Sequence, residues 1–533
     1  MSKYNLAIWM TGNYVGNGSI AAFLVATLVV FVLSSCSRSG GEVRNFNYYM
    51  VEARSYYERG DFKKAKQSYT EALNLNSESA AALLGRSIVN LRDVLTYEEA
   101  IADATRALDI DASLEDAYVV RASALVDMGH SEHSQFKIMH NMAVKKKLTG
   151  ALTNYWLLSP EERHERAIAD ATKAIEIDQN SPDAYFVRAH AYMDLKRPVE
   201  ASADFDKVFE LRPGAYLATM TYIHRSQAQR QSGNLVSAID DSNKAIQLHN
   251  TLTNEFDKQV SHIKWHGFGP NQILATSYTN RGLAYKESGQ AKESIDDYTR
   301  ALEEDPEYFE ALVNRSDVYM GTGFYEKALT DADKAISLKD KVSESLLARA
   351  YNSRALAANG MGSSQEALDD VSTALSYDPL YAMAYSNRAY MLTGLGRYDA
   401  AVSDATAAIG LEPELALAYA NRAEAYFMMG NYDSAIIDST RALSLDEGLS
   451  GTLIGRSFAY LANSNFESAL LDAKAALMHR PGDIQAVFLR GMALLALTDG
   501  EDGREDLNRV IRSGNQALGK LANDALRKAE DRD

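Results

Sequence analysis

At 533 residues the chain has room for three or four ordinary domains or for one long periodic array. Its formal net charge of -17 argues against nucleic acid or an anionic membrane surface as the main partner, because like charges repel phosphate. A protein or peptide partner fits better, and a composition with only 9 prolines points to helix nearly everywhere after the first 35 residues.

In chain order, the first distinctive segment is residues 20–33, IAAFLVATLVVFVL. A spanning helix needs about 20 apolar residues and a signal-peptide core roughly 7 to 15, so this run suits the latter. Leu33-Ser34-Ser35-Cys36 follows and resembles the lipobox of bacterial lipoproteins. The resemblance implies a signal peptide over 1–35, cleavage before Cys36, a diacylglycerol on its sulfur and a lipid-attached linker over 36–45. Ser37 resembles an outer-membrane address, so the implied location is the bacterial cell envelope, with membrane attachment through the lipid. Cys36 is the only cysteine, and no internal disulfide competes for it. The alternative is an uncleaved membrane anchor.

From residue 46 the chain becomes periodic. Residues 280–308, NRGLAYKESGQAKESIDDYTRALEEDPEY, and 421–446, NRAEAYFMMGNYDSAIIDSTRALSLD, share one frame. A small residue recurs at Ala53, Ser87, Ala122, Ala189, Ser226, Gly282, Ser316, Ala355, Ala389, Ala423, Ser457 and Gly491, in steps of mostly 34. Each repeat reads as two antiparallel helices with a turn at residues such as Gly60, Gly129, Gly233, Gly289, Gly362 or Gly430, where positive φ is expected. Second-helix alanines such as Ala65, Ala201, Ala328 and Ala435 predict close helix crossing. Tyr118, Tyr185, Tyr222, Tyr278, Tyr351, Tyr385 and Tyr419 are expected in the core. Pro213, Pro306, Pro379, Pro413 and Pro481 share one register and end the second helices.

This period and phase resemble the tetratricopeptide repeat. The resemblance implies an all-α solenoid, a right-handed superhelix of antiparallel helix pairs, over residues 46–517 in about twelve repeats. It also implies a concave face that binds peptides or protein surfaces. Residues 518–533 read as a capping helix whose Leu518, Leu521 and Leu526 cover the end.

An arginine just before the small position and an aspartate on the second helix recur together, among them Arg281 and Asp297, Arg315 and Asp331, Arg388 and Asp404, Arg422 and Asp438. An enzyme needs one site rather than eleven copies, so these pairs are expected to form a structural ladder. The first repeat lacks both residues. Arg121 meets no aspartate in frame until Asp170, which predicts one repeat split by an insertion near 131–163, containing Lys145, Lys146, Lys147 and Trp156. A second insertion near 251–274 holds His262, Trp265 and His266. No cysteine or carboxylate pattern supports a metal site there, and no cofactor is expected.

After Cys36 no stretch outside the repeats exceeds about 35 residues, whereas a catalytic domain needs about 50. The expected function is therefore a non-enzymatic interaction scaffold tethered to the envelope. First-helix positions facing away from the second helices change character along the chain: Thr279, Leu283, Lys286 and Glu287 give way to Tyr390, Phe427, Met428, Ile454, Phe458, Leu461, Phe488, Met492 and Leu495. They predict an apolar partner-binding trough in the carboxy-terminal third. One alternative is an outer-membrane nutrient- or glycan-binding lipoprotein. Another is a co-chaperone-like clamp, which in that family uses lysine and asparagine at positions held here by Leu283, Asp317, Leu356, Tyr390 and Glu424.

Overall fold

A computed structural model describes residues 44–92, 96–129, 158–252, 270–498 and 500–530. The signal segment, Cys36 and most of its linker lie outside them, as do the four residues Lys145, Lys146, Lys147 and Trp156 and the trio His262, Trp265 and His266. The chain divides into two compact bodies, 1–82 and 83–533.

The first body contains the hairpin of α1 (Phe46–Glu58) and α2 (Phe62–Leu75). Then come α3 (Ala80–Asn90) with α4 (Tyr97–Ile110), α5 (Glu115–Gly129) with α6 (Pro160–Ile177), and α7 (Pro182–Asp194) with α8 (Pro198–Glu210). They are followed by α9 (Ala215–Gln231) with α10 (Leu235–Leu252), α11 (Pro270–Glu287) with α12 (Ala291–Glu304), and α13 (Phe309–Gly321) with α14 (Tyr325–Ser337). Next are α15 (Glu344–Gly360) with α16 (Ser364–Tyr377), α17 (Ala382–Gly394) with α18 (Tyr398–Leu411), and α19 (Ala416–Met428) with α20 (Tyr432–Leu445). Last are α21 (Ser450–Ala462) with α22 (Phe466–His479), α23 (Ile484–Thr498) with α24 (Glu501–Arg512), and α25 (Gln516–Glu530). Among the described residues all regular structure is helical, and the fold is an all-α solenoid of helix pairs. No described helix is long and apolar enough to cross a membrane.

The repeated small residues let the paired helices touch. Ala65, Ala201, Ala328 and Ala435 are buried, as are Ala53, Ala122, Ala189 and Ala389. At three of the four serine positions the hydroxyl donates 2.8 Å to the carbonyl of the facing alanine, Ser226 to Ala238, Ser316 to Ala328 and Ser457 to Ala469, whereas Ser87 donates to Leu84 of its own helix. At Gly282 a Cβ would come within 2.8 Å of the Tyr298 ring, which is fully buried, so only glycine fits beside so large a neighbour.

Turns follow the expected register at Gly60, Gly233, Gly289, Gly362 and Gly430, all with positive φ. Lys196 (φ 56°) and Ser464 (φ 58°) take the same left-handed conformation where no glycine is available, so the backbone frame holds against the local preference. Asp305, Asp378, Glu412 and Arg480, each before a proline, have φ near -135° and end the second helices, a conformation that suits the residue before a proline. Asp111, Asp178 and Asp446 take it without one, and Arg212 before Pro213 has φ 54° instead.

Three expected boundaries move. Pro160–Arg163 belong to α6 rather than to the insertion, because Ser159 accepts from the Glu162 amide while the Glu162 carboxylate accepts from the Ser159 amide, with proline at the first position. Thr251 and Leu252 continue α10, and Pro270–Leu274 start α11, where Ile273 and Leu274 are buried. The last helix starts at Gln516; Leu518 is buried and Leu526 half-buried, but Leu521 is 53% exposed and covers nothing.

Candidate functional site

The recurring charges are used up inside the array. In eleven repeats the arginine Nε and Nη2 donate to the two oxygens of one aspartate at 2.6 to 2.9 Å, a two-pronged pairing that fixes the helices of a hairpin. Arg281 with Asp297, Arg315 with Asp331, Arg388 with Asp404 and Arg422 with Asp438 are members. Arg121 reaches Asp170 across the insertion, so α5 and α6 form one split hairpin. In the first repeat Ser68 donates 2.8 Å to Glu52, and a hydroxyl–carboxylate pair stands where arginine and aspartate stand elsewhere.

A third bond was not anticipated. The remaining nitrogen, Nη1, reaches the preceding repeat, always at the residue two after its aspartate: Arg315 to Thr299, Arg354 to Asp333, Arg388 to Ser372, Arg422 to Thr406, Arg456 to Thr440. The same holds for Arg121, Arg188, Arg225 and Arg281. A polar acceptor at that register was a legible signal. At Arg490 the corresponding residue is Lys474, a donor, and among the described residues the third bond is missing. Those nine arginines are thus rivets within and between repeats. Hydrogen bonding to the aspartates raises the arginine pKa values further above their usual range, as at Arg422 and Arg456.

The tyrosines expected in the core stand at its edge and beside these rivets: Tyr185 is a core residue, and Tyr118, Tyr222, Tyr278 and Tyr385 pack against the core clusters. Tyr118, Tyr185, Tyr222, Tyr278, Tyr351, Tyr385 and Tyr419 each lie under the guanidinium three residues on, at 5.2 to 5.8 Å, and of the seven only Tyr185 is buried. A tyrosine that must face a charged group on a hairpin flank stays half in water.

The expected trough separates into two kinds of residue. Tyr390 is 49% exposed and Met428 50%, whereas Phe427, Phe458 and Met492 are half-buried. Ile454 and Phe488 are in the core with Leu453, Val487, Leu489 and Leu507, and neither can meet a partner. The rings of Phe427, Phe458 and Phe488 follow one another at centroid distances of 6.3 Å. Apolar side chains on consecutive first helices pack onto each other, and of the residues expected in the trough only Tyr390 and Met428 are exposed.

An open space lies elsewhere, along the first helices α9, α11, α13 and α15. A cavity of about 460 Å³ has apolar walls from Met220, Ile223, Ile273 and Leu283. Its polar lining includes Gln227, Thr276, Thr279, Asn280, Tyr308, Glu310, Asn314 and Arg349. Part of that lining is bonded. Asn280 accepts from Gln227 at 3.4 Å and donates to the Ile223 carbonyl at 3.3 Å, Thr276 and Tyr308 share a bond of 3.0 Å, and Arg230 is paired with Glu287. Burial pushes the Tyr308 phenol well above its usual range.

The rest is not. Among the described residues the buried Thr279 hydroxyl has no hydrogen-bond partner; the Asn314 amide has none either, and Arg349 and Glu310 form no ion pair with any described residue. Nearby, Asp317 accepts from Ser353 at 2.8 Å and Lys286 at 3.5 Å, so the position that departs from a co-chaperone clamp is occupied by an internal bond. Sequence reasoning missed Arg349 because it does not recur in the repeat, and passed over Asn314 although asparagine precedes the ladder arginine at Asn280, Asn314, Asn387 and Asn421.

Comparison with known proteins bears on the repeat. Models of the tetratricopeptide repeat match residues 50–115, 182–214, 275–308, 352–409 and 392–448, so repeats of this kind are found across the chain. The chain is similar to human tetratricopeptide repeat protein 6, with 26% identity over 40% of this chain and 43% of that protein. It is also similar to Hsp70-Hsp90 organizing protein 3 of Arabidopsis thaliana, with 23% identity over 40% of each. The chain thus spans less than half the length of these curated relatives. Among solved structures, the Cut9-Hcn1 assembly of the APC/C aligns with 88% of this chain and 99% of that chain, at 14% identity and a TM-score of 0.43.

Proposed function

We propose that this protein is a non-enzymatic scaffold that holds a partner protein or peptide against its first-helix face. The observation that carries the reading is the cavity lined by four successive first helices, where the Asn314 amide, the Thr279 hydroxyl and the Arg349 guanidinium have no described internal partner. The titratable groups that recur are committed to helix packing, which favours binding over chemistry. A relative named for organising Hsp70 and Hsp90 supports a protein ligand class. Leu283→Trp fills the cavity from its wall. In cross-linked pull-downs read by mass spectrometry, the variant is expected to lose partners that the parent protein recovers, with an unchanged melting temperature; equal recovery would count against the reading.

The second part of the proposal is a tether. The apolar run 20–33, Leu33-Ser34-Ser35-Cys36 and the lone thiol support lipidation of Cys36 and an outer-membrane location in a bacterial envelope. Metabolic labelling with a palmitate analogue should mark the parent chain, and equal labelling of Cys36→Ser would sink the idea.

A further inference from the structure

Resting on that reading, we propose that the cavity between α9 and α15 receives a single carboxylate from an internal residue of an extended peptide, beside a hydrogen-bond donor of the same peptide. Of the two arginines that line the cavity, Arg230 is held by Glu287; Arg281, Arg315 and Arg354, on the same first helices, are held by Asp297, Asp331 and Asp370. Arg349, half-buried in the first-helix wall, remains without an ion pair. One guanidinium offers one planar fork, and the group that matches it is one carboxylate.

The remaining lining sets what accompanies that carboxylate. Asn314 presents an amide with both a donor and an acceptor and no described internal bond, which is the complement of a peptide unit. Thr279, 3% exposed with an unpartnered hydroxyl, adds a second group of the same kind. Glu310, also unpaired, repels a second negative charge and accepts from an amide or ammonium. Met220, Ile223, Ile273 and Leu283 favour an aliphatic neighbour. A chain terminus ending in an acidic residue brings two carboxylates and sets one of them against Glu310. An internal acidic residue followed by a donor does not.

The test uses arrays of capped decapeptides, N-acetylated and C-amidated, that scan Asp, Glu, Asn, Gln, Lys and Leu at each position. They are probed with the labelled chain from Cys36 onward. The parent protein is expected to favour peptides with one Asp or Glu flanked by an aliphatic residue and by Lys or Gln. Arg349→Gln should weaken those peptides about tenfold, the loss of one charge-assisted contact, and erase the preference for Asp over Asn while the melt is unchanged. Glu310→Gln should admit doubly acidic peptides and free carboxy termini. An acid preference retained in Arg349→Gln overturns the proposal, as does a parent preference for uncapped over capped peptides, or no acid preference at all. If acid preference is absent while Leu283→Trp still abolishes capture of cellular partners, this inference fails and the scaffold reading stands; if both experiments are negative, both fail.

Discussion

Helices α11 and α21 hold the same place in their repeats and carry the same arginine rivet, yet their free faces end differently. On α11 the outward residues other than Leu283 are polar; Lys286 bonds to Asp317 and Glu287 to Arg230 in neighbouring repeats, and a cavity stays open beside Leu283. On α21 they are Ile454, Phe458 and Leu461, which pack against the residues of α19 and α23 and close the space. An apolar stripe on consecutive first helices is therefore its own ligand: side chains that gain by leaving water fill the gap between repeats. A polar stripe spans the gap with a few directional bonds and leaves room.

If the rivet is indifferent to what the free face does, removing it should cost the same in both regions. Asp438→Ala and Asp297→Ala each strand a largely buried guanidinium, and each is expected to cost about 3 kcal/mol. Guanidinium denaturation with hydrogen exchange at the affected hairpins reads this, and a loss confined to one region would show that the face matters to the frame.

Truncation on the free face should separate the two regions. Phe458→Ala removes a ring packed between two others and should cost about 2 kcal/mol, whereas Leu283→Ala enlarges an existing cavity and should cost about 1 kcal/mol or less. Similar losses in thermal melts would argue that the trough around Phe458 is open after all. Tyr390→Ser with Met428→Ser, both exposed, should leave the melt unchanged.

The junctions between repeats offer a smaller lever. Thr299→Val removes the third bond of Arg315, and Lys474→Thr supplies the one Arg490 lacks, so the first should lose and the second gain about 1 kcal/mol in denaturation midpoint terms. No gain for Lys474→Thr would mean the last joint is set by the apolar cluster alone.

The weakest effect is a pH dependence in α4, away from either face. Burial, helped by the charge of Glu99, pushes the Glu98 carboxyl up to about 7. Because the folded pKa is raised, the contribution of Glu98 is fully present below its unfolded pKa and is lost as pH rises to about 7. Glu98→Gln should flatten that part of the profile, and an unchanged slope between pH 5 and 8 would refute the assignment.

The repeat was legible because it is written many times: glycine, alanine, proline, arginine and aspartate recur in phase, and each recurrence confirms which residues must meet across a hairpin. Even the split hairpin follows from Arg121 lacking a nearby aspartate, and α6 was recoverable from Ser159-Pro160-Glu161-Glu162. The candidate site was not legible, because Arg349 does not repeat and Asn314 shares its register with Asn280, Asn387 and Asn421, so neither stands out from the pattern. Whether Phe488 faces a partner or the core depends on what the next helix brings within reach, and Asn314 and Arg349, 35 residues apart, become one site only when two first helices stand side by side. Local pattern determined the backbone frame; the company each free-face side chain keeps, and so whether it seals a gap or leaves one open, was decided by tertiary packing alone.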